Sequence, residues 1–142
     1  MEQKIKLVAD VTVLFNNKTV LVKYKNTDNY NGQTGWFIPD DLVSFGEDPD
    51  EAAARILKEQ LGIENAEVNI DNIESFTGQD KSWHIIFHYL CVTEPEPEPV
   101  ISMGENVSEM KIFNVNELPD DKEISHHGWA KYTLDAILNK RK

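Results

Sequence analysis

The chain has 142 residues, 40% of them hydrophobic and 27% charged, an ordinary balance for a globular protein, and this length fits one domain over residues 1–142. A formal net charge of −11 argues against long nucleic acid and acidic membranes as partners, which it would repel. A small nucleotide stays admissible, because a divalent cation can bridge two negative partners. No apolar run approaches the roughly 18 residues of a membrane span. The opening MEQKIKLVAD is too polar for a secretory signal, so the expected compartment is the cytoplasm. Cys91 is the single cysteine and sits in an apolar run. It reads as a small buried hydrophobe, and neither a disulfide framework nor a thiolate zinc site can be built within this chain.

In chain order, Ile5, Leu7, Ala9, Val11, Val13 and Phe15 share one parity, which predicts a strand over 5–15. Asn16 to Lys18 predicts a hairpin turn, and Thr19 to Tyr24 a second strand. Asn26 to Thr34 reads as a polar loop. Trp36 to Ile38 begins a third extended piece that Pro39 interrupts. A helix follows, with Asp48 as cap, Pro49 in the first turn and Glu51 three residues past the cap. Ala53 or Ala54, Leu57 and Leu61 form its apolar stripe. Gly62 supplies a left-handed exit, and Ile63 packs back over the last turn. Further strands are predicted over 68–77, 83–92 and 111–115, and Glu94 to Pro99 reads as an extended acidic linker. A terminal helix over 129–138 turns Ala130, Leu134 and Ile137 or Leu138 inward. Strands with two helices predict a layered α/β domain.

The stretch from Gly35 to Ile63 resembles the signature of the Nudix hydrolases. Gly46-Glu47, Arg55, Leu57, Glu59 and Gly62-Ile63 match its positions. Asp40-Asp41 replaces a double glycine, while Ile56 and Gln60 replace two of three glutamates. The resemblance implies an α/β/α sandwich with a mixed central sheet. It also implies Mg2+- or Mn2+-dependent pyrophosphohydrolysis of a nucleoside diphosphate-linked substrate. Glu59, Glu47 and Arg55 would then carry catalysis. Metal ligands would come from Glu59 and Glu47, with Asp40, Asp41, Glu105 or Glu109 compensating for the lost acids.

Positions 56, 59 and 60 are three and four residues apart, so they share a helix face. Ile56 offers no ligand atom there, and Gln60 only a neutral carbonyl oxygen. Two functions follow: hydrolysis, weak or lost, or a non-catalytic nucleotide-sensing or protein-interaction domain. Arg55 and Glu47 are expected to pair and brace the loop on the helix. His84 and His88 share one side of a strand and read as satisfied sheet histidines; His126 and His127 read as capping or packing groups. The oligomeric state is open, a homodimer included.

Overall fold

The computed structural model describes residues 4–28, 32–78, 81–93 and 101–141. Strands β1 (Ile5–Phe15) and β2 (Lys18–Tyr24) form the expected hairpin. Its turn works because Asn16 and Asn17 adopt φ of 49° and 61°, angles that asparagine tolerates better than branched residues. After the turn come β3 (Asp40–Leu42), α1 (Pro49–Leu61), β4 (Asn69–Thr77), β5 (Trp83–Val92), β6 (Val107–Asn114) and α2 (Ser125–Lys140). The sheet has six strands, ordered β4-β5-β1-β2-β6, with β3 added alongside β1. Only the β1–β5 ladder is parallel among these pairings, so the sheet is mixed, as expected.

Each sheet face carries its own core. Ala9, Val11, Val13 and Phe15 pack with Ala52, Ala53, Ile56, Leu57 and Leu61 of α1. The alternate residues Leu14 and Leu21 pack with Trp36, Phe113 and Ala130, Leu134 and Ile137 of α2. The period of two in the strands thus divides the apolar residues between two helices, giving the α/β/α layering.

The structure corrects several sequence expectations. Trp36 to Ile38 makes only isolated bridges, Trp36 to Ile124 and Phe37 to Val22. The strand lies beyond Pro39, where Asp40 and Asp41 pair with Asp10 and Ala9 of β1. Asp48 is the N-cap residue but makes no side-chain cap bond. Strand β6 starts four residues earlier than predicted, at Val107 instead of Lys111, and α2 starts at Ser125. Gly62 closes α1 at φ 69°, and the Ile63 amide donates to the Leu57 carbonyl at 3.1 Å, the expected left-handed exit. The acidic linker from Glu94 to Pro99 lies outside the described residues, as do residues 29–31 of the polar loop.

Candidate ligand site

Arg55 ties three segments together. Its Nε donates to Glu47 Oε2 at 2.9 Å and its Nη2 to Glu47 Oε1 at 3.1 Å. The other arm donates from Nη1 to Asp41 Oδ2 at 2.9 Å, and Nη2 also reaches the Leu42 carbonyl at 2.9 Å. Glu47 Oε1 in turn accepts from the Ser44 amide at 3.0 Å. A planar guanidinium satisfies two carboxylates and a carbonyl in one fork. The Arg55 bond holds the Glu47 carboxyl below its usual range, and Glu47 raises Arg55 in return. The predicted brace of loop on helix is therefore present, and it includes β3.

The helix face carrying 56, 59 and 60 divides. Ile56 is 1% exposed, inside the α1-side core. Gln60 is also buried, and its Nε2 donates to the Asp40 carbonyl at 2.8 Å. The Tyr24 hydroxyl donates to Gln60 Oε1 at 2.8 Å and accepts from the Asp40 amide at 3.0 Å. Tyr24, Gln60 and Asp40 thus close a ring of three bonds across β2, α1 and β3. Glu59 points outward instead: its side chain is 59% exposed, and Oε2 lies 3.6 Å from Arg55 Nη1.

The remaining predicted ligands separate. Successive residues of a strand point to opposite faces, so Asp41 turns to Arg55 while Asp40 follows its register partner Asp10. Burial, then the Asp10 charge, raises the Asp40 carboxyl well above the usual range. Glu105 is exposed in the turn after Gly104, whose amide donates to the Gln60 carbonyl at 2.9 Å. Glu109 pairs with Lys23 at 3.7 Å, and Lys23 lies over Trp36 of the α2-side core, so Glu109 sits across the sheet from α1.

These residues do not fit a divalent cation. Ile56 brings no donor atom. Gln60 aims its amide hydrogen at the Asp40 carbonyl, leaving that oxygen facing a donor. The Arg55 guanidinium already occupies the carboxylates of Asp41 and Glu47. Among the described residues, no group of three or more His, Cys, Asp or Glu side chains is placed to hold a metal. Hard cations need several converging oxygens.

A cavity of about 310 Å³ opens on the α2 face beside this region. Its lining includes Lys6, Asp40, Phe76, His84, His126 and Trp129. Phe76 and His84 are stacked at 4.7 Å and 9°, and the His126 ring stands 6.4 Å from Trp129 at 81°. His84 also exchanges a 2.9 Å bond with Ser82. Close to the cavity, His88 places Nδ1 2.8 Å from Asp10 Oδ2 and Nε2 2.6 Å from Glu74 Oε1. Both ring nitrogens face carboxylates, so both must be N–H donors and the ring is an imidazolium. Burial pulls its pKa down, but Asp10 and then Glu74 outweigh burial and carry it up to about 9.

Sequence reasoning placed both histidines on one strand side but missed their partners. Asp10 had a visible signal, as a carboxylate inside the apolar run of β1. Tyr24, Phe76 and Trp129 had none beyond their aromatic character.

A model of the NUDIX domain matches residues 5–135. Nudix hydrolase 2 of Arabidopsis thaliana is 27% identical over 124 residues, covering 86% of this chain and 42% of that protein. The chain therefore spans less than half the length of that relative. Among solved structures, a MutT NUDIX hydrolase from Burkholderia pseudomallei superimposes with TM-score 0.70 at 17% identity, covering 94% of this chain and 98% of the other. A C. elegans Ap4A hydrolase, determined as a binary complex, gives TM-score 0.67 at 15% identity, covering 95% and 98%.

Proposed function

The chain belongs to the NUDIX domain family, and on that premise we propose that it binds a nucleotide-type ligand without the family's general reaction, metal-dependent pyrophosphohydrolysis. One observation carries this reading: the Gln60 side-chain amide donates to the Asp40 carbonyl at 2.8 Å. A hydrogen-bond donor stands where a hydrolytic site of this family would need an oxygen ligand, and Ile56 beside it is committed to the core. The cavity supplies the binding function. Trp129 and the Phe76–His84 stack offer flat faces to a heterocycle, and Lys6 is a cation at its lining for phosphate oxygens. The C. elegans neighbour is a hydrolase of a dinucleoside polyphosphate, which supports the ligand class.

Titration calorimetry tests binding of nucleoside di- and triphosphates, nucleoside diphosphate sugars, dinucleoside polyphosphates and ADP-ribose, with and without Mg2+ or Mn2+. Product chromatography runs in parallel. The expected result is saturable binding that needs no metal and yields no product. Trp129→Ala should weaken it by roughly tenfold, the scale of one lost base–aromatic contact. Metal-dependent product formation, abolished by Glu59→Gln, would instead establish a hydrolase centred on Glu59. Absence of binding across the panel would remove the ligand assignment.

A further inference from the structure

Beyond the reach of α1, no helix among the described residues covers the continuation of the sheet face on which it packs. The α1-side core uses Ala9, Val11, Val13 and Phe15 of β1 with Tyr89 and Cys91 of β5. The same parity earlier in those strands brings Ile5 beside Trp83 and Leu7 beside Ile85. On the outer strand β4, Ile73 pairs with Phe87, and Ile70 with Tyr89, on this face. Ile5 is 54% exposed, Leu7 39%, Trp83 46%, Ile73 55% and Ile70 50%. Five large side chains about half exposed leave on the order of 500 Å² of contiguous apolar surface, at the upper end for a monomer.

The strip carries no charge. The acidic residues of β4 turn elsewhere: Glu74 bonds His88, and Asp71 accepts from Lys140 of α2. An acidic or basic peptide therefore finds no ionic partner here. A lipid surface is disfavoured by the net charge of −11.

We propose that this face, formed by Ile5, Leu7, Trp83, Ile85, Ile73 and Ile70, is the interface of a two-fold homodimer. A neutral strip is complementary to its own copy across a two-fold axis, which needs no second kind of surface. Two such faces bury about 1,000 Å², the least expected of a biological interface and short of the roughly 1,200 Å² where standard stable ones begin, which fits association in the micromolar range. Sheets packed face to face interdigitate large apolar side chains at about 10 Å separation.

Sedimentation velocity and light scattering from about 1 µM to about 200 µM, a range that resolves micromolar association, test this directly. The wild-type chain should pass from monomer to dimer. Trp83→Glu should weaken association at least about tenfold, the effect of a charge buried in an apolar interface. Ile73→Lys should do the same, and it decides the matter should Trp83→Glu not fold, as judged by circular dichroism. Tyr132→Glu, on α2 and 72% exposed in the free chain, should leave association unchanged. A wild-type chain monomeric throughout, or a dimer that persists in the folded strip variants, would overturn the proposal. The result does not depend on whether a nucleotide binds.

Discussion

Gln60 and Asp40 are joined by a 2.8 Å bond from side-chain amide to backbone carbonyl, and this bond fixes the helix to β3. Both atoms are buried, so breaking the pair strands a carbonyl as well as the Tyr24 hydroxyl that Gln60 accepts. Gln60→Ala should therefore lower stability by about 1–3 kcal/mol, the cost of buried groups left unsatisfied. Tyr24→Phe should be destabilising too, and the double variant should cost less than the two singles added. Urea denaturation of the four chains measures this coupling. Strict additivity would show that the ring does not act as a unit.

Glu47 and Asp41 depend on one guanidinium, so Arg55→Lys should remove more than a charge can replace. A lysine keeps the cation but loses the fork that holds both Glu47 oxygens and the Leu42 carbonyl. The expected loss is about 1–2 kcal/mol, with faster amide exchange concentrated at Ser44, whose amide Glu47 accepts. Exchange unchanged at Ser44 would mean that the turn holds without the arginine.

The sequence made the strand periods and the ends of α1 plain, since β1 and β5 alternate cleanly and Gly62 takes the left-handed angle its position requires. It hid β3, because Asp40-Asp41-Leu42 has weak strand character and only pairing with β1 makes it extended. The helix spacing was read correctly, but spacing does not say how far a face rotates toward the core. Ile56 and Gln60 join the buried residues Ala53, Leu57 and Leu61, whereas Glu59 falls outside them. The ring around Gln60 was illegible for the same reason, since its other members lie 36 and 20 residues away in sequence.

Gly104 was invisible as a constraint, yet it is among the tightest positions in the fold. A Cβ there would lie 1.8 Å from the Glu59 carbonyl oxygen, a backbone atom in the last turn of α1 that cannot step aside. Gly104→Ala should push the segment at 101–106 off the helix and break the Gly104 amide bond to the Gln60 carbonyl. We expect a loss of at least about 2 kcal/mol, read as a fall in the melting temperature. A neutral substitution would show that the segment is free to move away at no cost.

The His88 imidazolium makes stability depend on pH in a fixed direction. Its pKa rises from 6.5 unfolded to about 9 folded, so the native state holds a proton that the unfolded chain releases. The contribution is complete below pH 6.5, declines above it and is gone once pH passes about 9. Burial, against the opposing His88 bond, also raises the Asp10 carboxyl, and the loss of its contribution begins in the ordinary carboxylate range, acid of the His88 interval. With the ring buried between Asp10 and Glu74, the decline from pH 6.5 to about 9 should be on the order of 3 kcal/mol. His88→Gln removes the titrating proton while retaining a donor, so its urea midpoint should change far less over that interval. If the variant and the wild-type chain lose stability in parallel, the proton does not reside on His88 and the assignment of the imidazolium is wrong.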